Sequence, residues 1–147
     1  MNDRYLFRAK RTDNGEWIAG SLIQTSYLGS IRSWISSEQE DKARLREISA
    51  NQAVWRAFEV RTDTICQCTG LKDKNGKLIW ENDIVGFWDT YSTENGHAEM
   101  DCIGKVVWDD ETISFQVTNR LSAESYEVLD ECCVIGNIFD NPELMHE

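Results

Sequence analysis

The chain has 147 residues, of which 41% are hydrophobic and 28% are charged, and its formal net charge at pH 7 is −11. This length and apolar content suffice for one compact domain or two small ones, and they exclude a disordered chain. No apolar run is long enough to span a bilayer, and the N-terminal residues contain no apolar leader, so we expect a cytoplasmic protein without membrane contact. Five cysteines, an odd number, fit a reducing compartment.

The charge is divided unevenly along the chain. Residues 1–85 contain 13 Lys or Arg and 12 Asp or Glu, whereas residues 86–147 contain 2 and 14, so the net charges are +1 and −12. An acidic surface repels phosphate backbones. We therefore expect no direct nucleic-acid binding through the acidic half.

The first part of the chain predicts a β-hairpin, a strand, a helix and a second strand. Residues 4–24 alternate around an Asp-Asn-Gly turn at 13–15, and residues 31–35 are typical of a short strand. Ser37 and Glu40 have capping-box spacing, which predicts a surface helix at about 37–49, and a strand follows at 54–60. Arg8, Lys10 and Arg11 belong to a solvated strand face in this interpretation; an anion-binding patch is the alternative.

The second part predicts five short antiparallel strands at residues 84–88, 103–108, 113–117, 126–129 and 134–139. A long excursion separates the first two of them, over residues 89–102. The expected fold is mainly β, with a small SH3-like barrel or a compact sandwich in the C-terminal half. The predicted regions are an N-terminal hairpin region, 1–65, and a barrel-like region, 66–147; a single integrated domain is the alternative.

Residues 68–85 form the most distinctive stretch, CTGLKDKNGKLIWENDIV. Two glycines flank lysines as in phosphate-binding loops, but Leu78 stands where a P-loop requires Ser or Thr. The oxygen ligands of an EF-hand loop are also missing. Asp73, Asn75 and Gly76 instead indicate a hairpin turn.

The cysteines are weak candidates for a metal site. Cys66 and Cys68 flank one residue and Cys132 and Cys133 are adjacent, whereas structural zinc sites use Cys-x-x-Cys pairs. In strands, Cys66 and Cys68 share a face, but Cys132 and Cys133 point to opposite faces. We expect structural thiols, no metal and no cofactor.

The sequence evidence for a catalytic site is equally weak. A Cys102–His97 pair is conceivable as nucleophile and base, but His97 lies in a polar loop and His146 near the end of the sequence. The six tryptophans mostly occur in strand-like runs, which favours a role in the core or in a subunit interface over a ligand-stacking groove.

Three motifs together resemble the YopX family of phage and prophage proteins. They are GEWIAG at 15–20, TGLKDKNGK with IWENDIV at 69–85, and VIGNIF with NPEL at 134–144. Asn82 stands where the family commonly has glycine, which predicts a positive φ at this position. The family-signature residues are expected to build turns and strands: Gly70, Leu71, Asp73, Asn75, Gly76, Glu81, Asp83, Ile84, Gly136 and Asn137.

The resemblance implies a small, mostly β, phage-encoded protein that self-associates, in a family without an established activity. In that context Asp83 is expected to cap the turn before a strand, and Lys72, Asp73 and Asn75 to form an exposed turn. Our leading hypothesis is a non-enzymatic accessory protein in the host cytoplasm that binds proteins as a homo-oligomer. The alternatives are an acidic DNA mimic that inhibits a host nucleic-acid-binding protein and, less favoured, a thiol- or zinc-dependent enzyme.

Overall fold

A computed structural model of the chain describes the backbone of residues 3–37, 57–93, 96–121, 125–127 and 131–146, and the side chains of these residues except 88–101. Over this part the fold is mainly β, as predicted. Its helical segments are three short 3₁₀ turns, Asp3–Tyr5, Thr62–Thr64 and Pro142–Met145. The helix predicted at about 37–49 lies outside the described residues. The chain divides into two compact units, Met1–Gln67 and Cys68–Glu147.

The first unit is one antiparallel sheet with its own core. Its strands are β1 (Phe7–Lys10), β2 (Trp17–Tyr27), β3 (Ser30–Ser36), β4 (Ala57–Val60) and the first two residues of β5 (Cys66–Lys72). They lie in the order β4-β3-β2-β1-β5. Alternate residues of the four N-terminal strands point inward, and Ala9, Ile18, Ile35 and Val60 form the buried cluster.

This sheet curls until its two sides meet. Arg11, just past β1, forms a bridge with Val60 of β4. Two backbone hydrogen bonds flank the bridge, from Thr12 N to Glu59 O at 3.0 Å and from Arg61 N to Lys10 O at 2.8 Å. The contact is one bridge long, so the sheet curls without becoming a closed barrel. The predicted N-terminal hairpin, β1–β2, is thus part of a larger curled sheet.

The second unit contains a small hairpin and a five-stranded sheet. β5 continues into this unit and pairs with β6 (Leu78–Trp80). The remaining strands are β7 (Asp83–Thr93), β8 (Gly96–Asp109), β9 (Ser114–Asn119), β10 (Ser125–Glu127) and β11 (Cys133–Asn137), in the order β10-β9-β8-β7-β11. Its core is formed by Ile79, Val85, Val106, Val117 and Cys132.

Two sequence expectations for this unit are wrong. Among the described strands, β10 and β11 remain at opposite edges, so the five-stranded sheet is not a closed SH3-like barrel; the compact sandwich stays a prediction. Residues 89–102 are not an excursion, because β7 and β8 continue as a long hairpin and pair as far as Thr93 with Gly96. Residues 89–97 are mostly polar and give little strand signal, although Ala98, Met100 and Cys102 alternate with acidic residues in a strand period.

Candidate functional site

The most distinctive motif contains a buried carboxylate at Asp73, whose side chain is 5% exposed. One oxygen, Oδ1, accepts hydrogen bonds from the backbone N–H groups of Asn75 and Lys77, each at 2.9 Å. The other, Oδ2, accepts from Val134 N at 3.0 Å. The expected exposure of Asp73 is therefore wrong, while its neighbours Lys72 and Asn75 are exposed.

These bonds determine the protonation of Asp73. Burial raises the pKa of this carboxyl group, but the backbone hydrogen bonds from Val134, Lys77 and Asn75 outweigh burial and hold the pKa below its ordinary value of 3.8. The group stays ionised at neutral pH, and both of its oxygens accept backbone hydrogen bonds. Asp73 therefore joins the β5–β6 turn to β11, and it is poorly suited to acid or base catalysis.

A second buried carboxylate organises the turn between β6 and β7. Asp83 is 1% exposed, and its Oδ2 accepts a hydrogen bond from Trp80 N at 2.8 Å. Between these residues, Asn82 has φ +69°, which is the positive value predicted for it. Its backbone also joins two other segments, because Asn82 N donates to Val106 O and Asn82 O accepts from Ile138 N. These hydrogen bonds hold the β6–β7 turn in place, which is a structural role.

The other family-signature residues occupy turns and strand positions. Gly70 and Gly76 have φ +80° and +81°, Ile84 is fully buried, and Leu71 is exposed. At the closing motif, a Cβ added to Gly136 would lie 2.5 Å from Oδ1 of Asn141. The side-chain oxygen of Asn137 accepts hydrogen bonds from the backbone of Phe139 and Asp140. The remaining residue, Glu81, is half-buried.

The cysteines do not assemble a metal site among the residues that the structure describes. No three His, Cys, Asp or Glu side chains come together there in an arrangement that could hold an ion. Cys66 and Cys68 are buried in β5, where their thiols donate to the carbonyl oxygens of Thr64 and Ile79. Cys132 lies in the core, and the half-buried Cys133 accepts a hydrogen bond from Asn75 Nδ2 at 3.3 Å.

The suggested nucleophile and base can be placed only in part. Cys102 is buried on β8, and the side chain of His97 lies outside the described ones. His146 follows the last 3₁₀ turn, and its carbonyl oxygen accepts a hydrogen bond from Arg120.

The N-terminal basic residues stack on aromatic rings. The guanidinium of Arg8 and the ammonium of Lys10 lie 4.7 and 5.4 Å from the ring centre of Trp17. Arg11 covers the ring of Phe58 at 4.0 Å and pairs with Asp13. Cations held in this way stabilise the sheet by about 0.5–2 kcal/mol each. They fit a strand face better than an open anion patch.

Three other tryptophans can be compared with the core prediction. Trp80 is buried, Trp34 is half-buried beneath the guanidinium of Arg32, and Trp108 is exposed beside Phe115. The side chains of Trp55 and Trp88 lie outside the described ones. Trp80 therefore lies in the core, whereas Trp108 does not, and a place for Trp108 in a subunit interface stays a prediction.

Among the described residues of the first unit, the most exposed apolar surface is a two-stranded extension that the sequence interpretation missed. We call residues 25–32 the β2–β3 arm, because they pair with one another, as Thr25 with Arg32 and Tyr27 with Ser30, while residues 25–27 and 30–32 pair with no other strand among the described residues. Tyr27, Leu28 and Ile31 are 77%, 88% and 57% exposed. A water-exposed ribbon with three large apolar side chains is typical of a binding surface.

The turn of the arm is strained. Leu28 has φ +49° and Gly29 has φ +81°, the positive values of a tight hairpin turn. Glycine adopts this conformation freely, whereas leucine pays about 1–2 kcal/mol for it. An exposed leucine in a strained conformation adds nothing to a core, so the arrangement suggests an external role.

A sequence feature could have revealed the arm. Residues 17–31, WIAGSLIQTSYLGSI, contain no Asp, Glu, Lys or Arg in a chain that is 28% charged. Strand alternation alone predicts a return strand and a separate strand in this run, and it does not depend on the absence of charge.

A comparison with models of protein families shows which family the chain belongs to. A family model described as YopX protein matches residues 6–146. The chain belongs to the YopX family. Among solved structures, this YopX-family chain is similar to the crystal structure of protein EF1440 from Enterococcus faecalis, with 23% identity and a TM-score of 0.48. The match covers 95% of this chain and 96% of that one. No curated protein matches the sequence.

The described part of this YopX-family chain contains no helix that is long and apolar enough to cross a membrane.

Proposed function

We propose that this YopX-family protein is a non-enzymatic module that binds protein and associates with copies of itself through the β2–β3 arm. The supporting observation is the arm itself, where Tyr27, Leu28 and Ile31 are presented to water on a strained hairpin. The resemblance to phage and prophage proteins extends the proposal to an accessory protein of phage origin that acts in the cytoplasm of the host cell.

The buried polar groups support a structural interpretation of the rest of the molecule. Of the described residues, six buried ones are polar or charged, and each forms hydrogen bonds within the fold: Ser33, Thr64, Thr69, Asp73, Asp83 and Asn119. A catalytic acid, base or nucleophile must keep an atom available to its substrate. These six groups instead form hydrogen bonds within the fold.

The lack of charge on residues 17–31 makes the arm the surface on which two copies meet with the least repulsion. Two chains with a net charge of −11 each repel one another, so they associate best through a surface without charge. The uncharged run at 17–31 supplies such a surface and includes Tyr27, Leu28 and Ile31. Full burial of a large apolar side chain stabilises an interface by about 1.5–3 kcal/mol.

The test is the mass of the protein in solution. We expect light scattering to show an oligomer at micromolar concentration, and a double substitution, Tyr27→Ser with Leu28→Gly, to weaken association at least about 100-fold. Leu121→Ser removes an exposed leucine of the second unit and serves as the control, which should leave the mass unchanged. A wild-type protein that stays monomeric up to about 100 μM would contradict the proposal.

A second candidate function is suggested by the charge of the second unit. Residues 68–147 contain 17 acidic and 5 basic side chains, a net charge of −12. Such a surface can imitate the phosphates of DNA and occupy a nucleic-acid-binding protein of the host. We expect salt-sensitive competition with duplex DNA for a basic host protein; no competition at low salt with any such protein would exclude mimicry in favour of simple solubility.

A further inference from the structure

The two halves of β2 have different strand neighbours. β1 pairs with residues Trp17 to Gly20, whereas β3 pairs with residues Ser21 to Tyr27. Within the described part of the chain, no strand lies beside the other edge of residues 21–27, which we call the β2 edge. Its outward N–H and C=O groups can pair with a further strand.

The β2 edge also lacks the features that protect other sheet edges. Natural edge strands are blunted by charged residues, proline, bulges or short length. At the edges of the five-stranded sheet, β10 has three residues and includes Glu127, and the pairing of β11 is irregular between Val134 and Gly136. In contrast, residues 21–27 are a regular seven-residue strand without charge or proline.

We propose that the β2 edge pairs antiparallel with the same edge of a second copy, around a two-fold axis at Thr25. This inference rests on the self-association proposed above and specifies its geometry. Identical edges suit one another across a two-fold axis because each strand presents the same surface to its mate.

The register follows from the exposed side chains. Ile23, Thr25 and Tyr27 alternate onto one face of β2, and all three are exposed. With Thr25 on the axis, each Ile23 lies opposite Tyr27 of the second copy, so the pairing forms two aromatic–β-branched contacts. Such pairs stabilise antiparallel strands more than polar or small pairs do.

The pairing also explains how the β2–β3 arm is stabilised. A two-stranded ribbon is marginally stable in water, whereas four strands with an apolar face are stable. Two arms joined at their β2 edges form a four-stranded ribbon, β3-β2-β2-β3. The exposure of Tyr27 is thus a property of the unpaired copy.

A charge exchange at Thr25 tests the two-fold geometry. In Thr25→Lys or Thr25→Glu homodimers, like charges meet at the axis, so we expect each variant alone to associate at least about tenfold more weakly than the wild type. In an equimolar mixture, Lys meets Glu, so a heterodimer should form and should be detected by native mass spectrometry. Thr112→Lys and Thr112→Glu, at the exposed turn after β8, are the matched controls and should leave association unchanged.

The outcomes separate this inference from the proposed function. If the wild type is monomeric, both are overturned. If the wild type associates and neither Thr25 variant weakens it, self-association stands and the β2 edge is excluded. If both variants are monomeric and their mixture stays monomeric, the two-fold register is overturned. Recovery of association in the mixture supports the inference and shows that both variants fold; added salt should weaken that recovery.

Discussion

Replacement of Asp73 by asparagine should destabilise the second unit strongly. The carboxylate accepts three backbone hydrogen bonds of 2.9 to 3.0 Å. An asparagine oxygen can keep the bonds from Asn75 N and Lys77 N, but its NH₂ group then faces Val134 N, donor to donor. An unsatisfied buried donor costs about 1–3 kcal/mol, and loss of the negative charge weakens the other two bonds. We expect Asp73→Asn to lower the free energy of unfolding by about 3 kcal/mol.

The assay is chemical denaturation at pH 7, supported by a thermal scan. At this chain length, 3 kcal/mol corresponds to a shift of roughly 10 °C in Tm. Asp110→Asn is the control, because Asp110 lies exposed in a turn of the same unit and its Oδ1 accepts from Trp108 Nε1, which an amide oxygen can also do. The control should change stability by less than about 0.5 kcal/mol.

The same variant makes a prediction about pH. The pKa of Asp73 in the folded protein lies below 3.8, so its stabilising contribution is present above that value and is lost as the pH falls from 3.8 through the folded pKa. The difference in stability between wild type and Asp73→Asn should therefore shrink below pH 3.8. An Asp73→Asn protein as stable as the wild type at pH 7, or a difference that is unchanged in acid, would refute the reasoning.

Two further substitutions test structural positions in the second unit. Gly136→Ala should cost about 1–3 kcal/mol in urea denaturation, because the added methyl group overlaps the side chain of Asn141; an unaffected midpoint would show that the closing turn can shift freely. Asn82→Val should be less stable than Asn82→Gly by about 2 kcal/mol or more, because φ is +69° there; equal stability of the two variants would contradict the backbone interpretation.

Local chemistry explains what the sequence predicted well. Gly15 and Asn82 have the positive φ values that the Asp-Asn-Gly turn and the comparison with glycine predict, and the main strands lie close to their predicted positions. These features depend on neighbours within a few residues. A single sequence shows such neighbours directly.

The wrong predictions concern contacts between residues that are far apart in the sequence. The family resemblance implies an exposed turn at Asp73, but Val134, 61 residues further along, covers one of its oxygens. The sequence indicates the long β7–β8 hairpin only in part, because residues 89–97 are mostly polar while Ala98, Met100 and Cys102 alternate with acidic residues. Likewise, no sequence pattern states where β1 and β4 stop pairing with their neighbours, and those limits are what leave the β2–β3 arm to pair with itself alone.

The two oxygens of Asp73 also belong to different stages of folding. Oδ1 binds groups two and four residues away, and a turn of that size closes in about a microsecond or less. Oδ2 binds a group 61 residues away, so its bond must wait until a much longer loop has closed. We expect the turn to form early as a local nucleus, with one acceptor still hydrated. When β11 pairs with the sheet, Val134 N replaces that water as the donor to Oδ2 and so joins the turn to the sheet.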